Sequence, residues 1–525
     1  MIMRLNYLLN GQPVLEQHGN ENLEIKGLTG DSRDVKKGYL FVALKGSSQD
    51  GHKYLAHAVQ RGACALVVEN IEDLFKNVTI VRLPDTRAAL AELASRFYNY
   101  PSKDMNLIGI TGTNGKTTTS YVLESILKEE GRNVGVIGTI NYRYKGKSFQ
   151  ASLTTPESID LMKIMGEMRD AGMTDIIIEV SSHSLEQGRV RGLNWSRALF
   201  TNFSRDHLDY HSTMQKYFKA KSLLFSSLRE EGKVKAIINM DDPKGRVLKK
   251  ITKSSTVSYG LGDNCLIRAA DINFSAEGLH FRLTTPTGDI PITSTLLGQV
   301  NVYNILAAAA VAFSLDIDLN TISRGIQRLA FVPGRLQRVE NKQGLSIFVD
   351  YAHSADALKK ALQTLRQLTK GRLITVFGCG GDRDRGKRPD MGKVAGIYSD
   401  FAIITSDNPR GESPAKIADE IETGVKESGL KRIELDFSSN NPRGYEIILD
   451  RRKAIHTAVK IANKEGGDII LIAGKGHEKY QIIGDRKRYF NDVEEVELAT
   501  NSGISSATKP QRQEEMIMSL IKDDI

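Results

Sequence analysis

Cysteine is scarce in this chain: 525 residues hold three, Cys64, Cys265 and Cys379, far apart, odd in number and in no C-x-x-C pair. That excludes a disulfide framework and a thiolate zinc site, and it fits a reducing, cytoplasmic setting. Long hydrophobic runs are missing too. No window approaches the roughly eighteen uninterrupted apolar residues of a membrane span. The start, Met1-Ile2-Met3-Arg4-Leu5-Asn6, lacks a basic segment followed by an apolar stretch, so no secretory signal is expected. Repeats and long low-complexity tracts are absent. The net charge of +9 suits phosphates and carboxylates as ligands. Lysine and arginine are scattered, however, without the massed block and interleaved aromatics of a nucleic-acid face, so no nucleic acid is expected as a partner.

What is present describes a soluble globular protein, 40% hydrophobic and 26% charged, and too long for one core. β and α patterns alternate almost throughout, which argues α/β layering. A first unit, 1–102, ends where a helix from near Thr86 runs into Tyr100-Pro101. A second, 103–333, has buried-strand patterns at 107–110, 133–140, 175–180, 198–203 and 235–239. A third, 334–497, starts after Val332-Pro333-Gly334-Arg335, with strands at 346–349, 373–377, 401–405 and 468–472. The tail, 498–525, is polar around a short apolar patch at 516–521 and reads as a poorly ordered end or a docking helix.

The most informative stretch is Gly112-Thr113-Asn114-Gly115-Lys116-Thr117-Thr118, which follows the apolar run 107–110 and opens a helical pattern from Thr118 to Glu130. A phosphate loop needs that setting. Glycines let backbone N–H groups approach phosphate oxygens, the helix N-terminus adds partial positive charge, Lys116 supplies a cation and Thr117 can ligate Mg²⁺. The strict Walker spacing asks for glycine at 110, where Ile110 stands, so the loop is a variant. A nucleoside triphosphate is the expected ligand.

Several strands end in polar residues, and ligands gather at the carboxyl ends of strands in open parallel sheets. Glu179-Val180-Ser181-Ser182-His183 and Asn202-Phe203-Ser204-Arg205-Asp206-His207 could therefore face the crevice of the phosphate loop. Thr117, Glu179 and His207 are candidate metal donors. For Glu179 residue type alone favours a strand-end salt bridge, and His207 could equally be a partner of phosphate or of metal-bound water. The run from Asp206 to His211 is either a metal or hydrolase site or a hydrogen-bonded loop. Lys221 lies on an otherwise apolar helical pattern; it either snorkels to water or is held neutral enough to react. In the third unit, Gly378–Pro389, Asp407-Asn408-Pro409-Arg410 and Gly474-Lys475-Gly476-His477-Glu478 each follow a strand. One shared anion clamp, built on an ion-pair lattice with a guanidinium left to grip a carboxylate, accounts for all three.

These segments in this order resemble the Mur ligases, ATP-dependent amide-forming enzymes of peptidoglycan assembly, over about Gly27 to Glu495. Thr111–Thr118, Ile110 included, resembles the wider superfamily that also holds folylpolyglutamate synthetases. Asp31-Ser32-Arg33, Thr154-Thr155-Pro156, Glu179–His183, Arg205–His211 and Gly378–Pro389 are more specific. Asp407–Arg410 resembles the signature of the members that add diaminopimelate; lysine-adding members usually replace that arginine.

The resemblance implies a three-domain architecture with a central P-loop parallel-sheet ATPase domain and a C-terminal Rossmann-like α/β domain. It implies UDP-N-acetylmuramoyl-L-alanyl-D-glutamate as one substrate, held through Ser32, the Ser47-Ser48-Gln49 turn, Thr154, Thr155, Ser181, Gln187 and Arg189. ATP would lie on Gly112–Thr118, with Asn301 and Arg335 near the base and Asp350 near the ribose. Arg383, Asp407, Asn408, Pro409, Arg410, Gly474 and Glu478 would receive meso-2,6-diaminopimelate. Lys116, Glu179, His207 and Lys221 would be catalytic. Thr117, Glu179, His207 and a carbamylated Lys221 would hold Mg²⁺. A monomer without membrane insertion is expected. The alternatives are the same ligation with L-lysine, or a P-loop NTPase of another class, which would leave the third unit's anion-grip loops unexplained.

Overall fold

The computed structural model describes residues 2–46, 49–71, 75–228, 234–275, 277–434 and 443–501. The chain forms two compact units, Met1–Ala330 and Phe331–Ile525.

The first unit holds two main sheets. The smaller has the order Glu16–His18, Thr79–Arg82, Ala63–Val68, Tyr39–Val42, Gly27–Thr29, parallel except for its first edge strand. The larger has 11 strands. Its parallel centre runs Val134–Ile137, Asp175–Glu179, Asn106–Thr111, Trp195–Phe200, Lys235–Asn239, Ser255–Gly260 and Ile267–Ser275. Antiparallel strands flank it, Asn141–Tyr144 and Lys147–Gln150 at one edge, Gly278–Thr285 and Gly288–Ser294 at the other.

Asn106–Thr111 is central because both its faces are covered, which is why it reads as a continuous apolar run. Leu107, Ile108 and Ile110 are fully buried. Gly109 leaves room for the Trp195 indole, which a Cβ there would meet at 2.9 Å. One apolar core reaches from Leu5 through Leu40 and Leu107 to Leu248, so the two sheets share an interior.

The second unit is a sheet of 6 strands ordered Gln337–Arg338, Ser346–Asp350, Ile469–Ala473, Leu373–Phe377, Phe401–Ile404, Gly444–Ile447, parallel except at its first edge. The chain crosses from Phe401–Ile404 and Gly444–Ile447 back to the middle at Ile469–Ala473, the Rossmann-like pattern. A hairpin, Tyr480–Ile483 with Arg486–Tyr489, follows.

The expected strands are all present, with ends displaced by a few residues. Between 239 and 346 no strand is expected from the sequence, yet the larger sheet continues there. Gly278–Thr285 alternates buried and exposed residues, a weaker signal than an unbroken apolar run. The expected tail segment at 516–521 lies outside the described residues.

Candidate active site

The helix Lys116–Glu129 starts two residues earlier than its apolar pattern suggests, because Gly115 turns the chain at φ +88° and caps it without a side-chain bond. A helix N-terminus opening on such a glycine turn is a natural place for an anion, which meets the positive end of the helix dipole there. Gly112 lies at φ +145°; a Cβ there would meet Thr201 Oγ1 at 1.9 Å, and one on Gly115 would meet Asn304 Oδ1 at 2.4 Å. Asn202 grips the loop. Its carbonyl accepts from Thr113 N at 2.9 Å, its Oδ1 accepts from Asn114 N at 3.0 Å, and its Nδ2 donates to Asn114 O at 3.0 Å. Lys116 Nζ donates to the carbonyls of Gly112 and Thr113, both at 2.9 Å.

Lys221 reaches the same place. The helix Met214–Ser226 is capped by Thr213, whose hydroxyl accepts from Lys216 N, and it carries Lys221 into the interior. The side chain is 1% exposed, which excludes snorkelling, and its Nζ donates to Gly112 O at 2.8 Å. Burial, with the Lys116 charge second, pushes its amine well below the ordinary lysine range, against the pull of Asp206.

Glu179 ends its strand fully buried, and its partners are hydroxyls and an amide rather than a cation. Oε2 accepts from Thr117 Oγ1 and Thr139 Oγ1, both at 2.8 Å, and Oε1 from Thr139 N at 3.2 Å. The salt-bridge reading of Glu179 therefore falls. Gly138 beside it has no room for a Cβ, which would meet Glu179 Oε1 at 2.3 Å. His207 sits at φ +52° with its ring 5.0 Å from that of His183 and 5.8 Å from that of Tyr217. Desolvation lowers its pKa to about 4 against Asp206, leaving a neutral imidazole at pH 7. Tyr217 joins the groups: Lys221 Nζ lies 4.7 Å from its ring centre, and its hydroxyl is 3.2 Å from Thr113 Oγ1.

A continuous polar wall leads away from Glu179. Thr154 Oγ1 is 3.2 Å from Thr139 Oγ1. Thr155 Oγ1 donates to Glu179 O at 2.7 Å and accepts from Ser181 N at 3.1 Å. Arg189 donates to Thr155 O at 3.0 Å and to Gln187 Oε1 at 2.6 Å. Ser32 opens a 3-10 turn, Ser32–Asp34, after the edge strand Gly27–Thr29 of the smaller sheet, and its hydroxyl is 3.0 Å from His57 Nδ1. Gln49 is exposed in that sheet's loops, and Ser47 and Ser48 lie outside the described residues. Asn301 ties back to the phosphate loop through Asn304, whose Nδ2 donates to Asn301 Oδ1 at 2.8 Å.

In the second unit Asp350, half-buried at a strand end, accepts from Leu336 N at 2.6 Å and Ala352 N at 2.7 Å. Burial raises its pKa, and Arg335 opposes that. The Arg335 guanidinium lies 4.8 Å from the Tyr351 ring centre.

The three loops singled out in the sequence converge here. Asn408 Nδ2 donates to Glu478 Oε2 at 2.9 Å. Gly474 faces Asp407, whose Oδ2 a Cβ would meet at 2.5 Å. Arg410, at φ +50°, donates to Gly381 O at 2.8 Å, and Pro409 O lies 1.9 Å from where a Gly381 Cβ would stand. Arg383 is exposed, and its Nη1 donates to its neighbour's carbonyl, Asp382 O, at 3.3 Å. The ion-pair lattice is centred on Arg388, fully buried, which binds Glu412 through both terminal nitrogens at 3.0 and 2.8 Å and Glu420 at 2.8 Å.

Sequence reasoning missed Thr139 and Asn304; Asn202 and Arg388 lie in segments it singled out, where the structure gives each its partners. Asn304 alone left a trace, one helical turn after Asn301.

Among the described residues no group of three or more His, Cys, Asp or Glu side chains is set to hold a metal by itself. No helix among them is long and apolar enough to cross a membrane. The Thr117 and Glu179 oxygens are hard donors that suit Mg²⁺, which completes its shell with water and phosphate.

Comparison with known proteins follows the same division. Residues 24–98 match the Mur ligase family catalytic domain, 110–312 the Mur ligase middle domain and 334–476 the Mur ligase glutamate ligase domain. A UDP-N-acetylmuramoyl-L-alanyl-D-glutamate–2,6-diaminopimelate ligase of Geobacter metallireducens is 45% identical over 95% of this chain and 98% of its own. A solved structure of a ligase of that name superposes with TM-score 0.67 at 32% identity, covering 96% of this chain and 100% of its own. The fold also matches the MurF ligase of Thermotoga maritima in complex with ADP, at TM-score 0.60 and 19% identity, over 90% of this chain and 97% of that one. With a relative this similar over nearly its whole length, and three family models matched along the chain, the chain belongs to the Mur ligase family.

Proposed function

We propose that this protein is a cytoplasmic, monomeric, ATP-dependent ligase that joins meso-2,6-diaminopimelate to UDP-N-acetylmuramoyl-L-alanyl-D-glutamate (the UDP-dipeptide) in peptidoglycan synthesis. The observation that carries this reading is the near-full-length similarity to relatives of that name. The domains are read as 1–102 for the UDP-sugar, 103–333 for ATP and 334–497 for the amino acid.

The reaction has two steps. The D-glutamate side-chain carboxylate attacks the γ-phosphorus of ATP, the bond to the ADP oxygen breaks, and an acyl phosphate forms. The neutral amine of the amino acid then attacks the acyl carbon, phosphate leaves and the amine loses its extra proton. Catalysis is positioning plus electrostatics. Gly112–Thr118 cradles the phosphates by backbone N–H groups, with Lys116 turning from the loop carbonyls to the β/γ oxygens. Asn301, Arg335 and Asp350 bind the nucleoside. Ser32, Ser47, Ser48, Gln49, Thr154, Thr155, Ser181, Gln187 and Arg189 hold the UDP-dipeptide. Arg383, Asp407, Asn408, Pro409, Arg410, Gly474 and Glu478 receive the diamino acid.

Thr117, Glu179, His207 and modified Lys221 would hold Mg²⁺, which neutralises phosphate charge when bound. The depressed basicity of Lys221 supports its modification, because only a neutral amine adds CO₂; the product is a carbamate and a released proton. Phosphate release measured with each substrate omitted in turn tests the whole reading. Release should require ATP, the UDP-dipeptide and diaminopimelate together, and release without the UDP-dipeptide would refute it.

A further inference from the structure

Lys475 is 0% exposed. Its Nζ donates to Asn408 Oδ1 at 3.2 Å and to Glu478 Oε2 at 3.3 Å, and stands 4.0 Å from Asp407 Oδ1. Asn408 Oδ1 also accepts from Ile482 N at 3.0 Å. Two donors on that oxygen fix the amide's orientation, so Nδ2 must point to Glu478. The hairpin and Lys475 thus lock one amide from two sides.

The charges around it do not cancel. Asp407 and Glu478 bring two negative charges against one from Lys475. Arg451 is also near, but it is committed to Asp492 through a bidentate pair at 2.8 Å. One negative charge is left over on the cradle, while Arg410 presents a cation beside it on Gly381 O. An α-amino acid centre carries the complementary pair, an ammonium and a carboxylate. Isolated buried ion pairs are weak contributors to stability, so a buried lysine at the edge of a binding loop asks for another explanation.

We propose that Lys475 is a positioning residue for amino-acid selection, its buried ammonium holding Asp407, Asn408 and Glu478 as a fixed acceptor cradle for the far ammonium of the incoming diamino acid. The proposal rests on the ligase reading above. Burial already raises the Glu478 pKa, Asp407 raises it further, and Lys475 and Asn408 hold it down. Tyr351, Tyr480, Cys379, Arg451 and Arg410 are further titratable or charged groups beside the cradle. Without Lys475 the two carboxylates repel unopposed, and Glu478 takes up a proton nearer neutral pH. It then offers a hydroxyl where the ligand needs a charge.

The test is steady-state kinetics on Lys475→Met, Glu478→Gln and the double variant, with melting curves to check folding. For Lys475→Met the diaminopimelate KM should rise at least about tenfold, the effect of losing one charge-assisted contact, while the KM values for ATP and the UDP-dipeptide stay within about twofold. The ratio of variant to native kcat/KM for diaminopimelate should climb from pH 6 to 9 as Glu478 regains its charge. That slope should vanish in the double variant, which should bind diaminopimelate no worse than Glu478→Gln alone. An unchanged KM and a flat ratio in folded Lys475→Met would overturn the proposal. So would additive losses in the double variant, which removes one charge of each sign and can be read even if Lys475→Met fails to fold. Failure of the ligase reading is distinguishable, because the native enzyme would then release no phosphate in response to the UDP-dipeptide and diaminopimelate.

Discussion

Lys116 and Lys221, 105 positions apart in the sequence, donate to the same carbonyl oxygen, that of Gly112, at 2.9 and 2.8 Å. Two amines at one acceptor cannot both be comfortably charged, and the more deeply buried one yields. This is the physical opening for carbamylation, which turns a repelled cation into an anion beside Lys116. Lys221→Ala should be nearly inactive and partly restored by short carboxylates such as formate. Lys221→Arg should not be restored. A carbamate signal in the ¹³C spectrum of protein equilibrated with ¹³CO₂ should be absent from both variants, and its absence from active native enzyme counts against the modification.

Removing Lys116 tests the electrostatic share of catalysis. Lys116→Ala should lower kcat by about 10²–10³, or roughly 2.7–4 kcal/mol, the range for a main transition-state contact. The melting temperature should change little, since the side chain meets loop carbonyls rather than the core. A variant retaining more than about a tenth of native activity, a loss of only about 1.4 kcal/mol, contradicts the assignment.

The phosphate loop was legible because its requirements are local: Gly112 and Gly115 at positive φ, a fully buried strand before them and a helix after. The strands Leu373–Phe377 and Lys235–Asn239 were equally plain, since parallel strands covered on both faces are unbroken apolar runs. The antiparallel strands Gly278–Thr285 and Gly288–Ser294 and the hairpin Tyr480–Ile483 with Arg486–Tyr489 were not, because exposed residues interrupt the first two and Arg486–Tyr489 is exposed throughout. Contacts that set the site geometry were hidden for another reason. Asn202 grips Asn114, 88 residues away, and Thr139 meets Glu179 across 40, separations that leave no periodic mark. Lys221 stood between; its apolar neighbours were visible, but only packing decides whether a long amine reaches the surface.

Glu412 gives a pH dependence of known sign. Its bidentate bond to Arg388 holds its pKa down to about 2 from the ordinary 4.5. A carboxylate depressed by folding contributes stability that is complete above its unfolded value and is lost as pH falls through the folded one. Glu412→Gln should therefore lower the melting temperature at pH 7, and the difference from native should shrink between about pH 4.5 and 2. Melting curves across that range check it. A constant difference at all pH values would place the stabilisation elsewhere.

Substrate choice rests on Arg410. Arg410 has a left-handed backbone and its guanidinium rests with Nη1 on Gly381 O, and a Cβ on Gly380 would stand 2.9 Å from that nitrogen. Diaminopimelate differs from lysine by a carboxylate at its far end, which a guanidinium binds through two charge-assisted hydrogen bonds. Lysine would leave that cation unanswered. A site built around such a partner rejects the analogue lacking it by up to about 10⁴, far more than a missing methylene achieves. The native enzyme should thus prefer diaminopimelate strongly in kcat/KM. Arg410→Ala should raise the diaminopimelate KM and shrink that preference, leaving ATP and UDP-dipeptide binding nearly unchanged. Equal kcat/KM for the two amino acids in the native enzyme would instead make Arg410 a support for the Gly380–Gly381 turn and lysine an equal substrate.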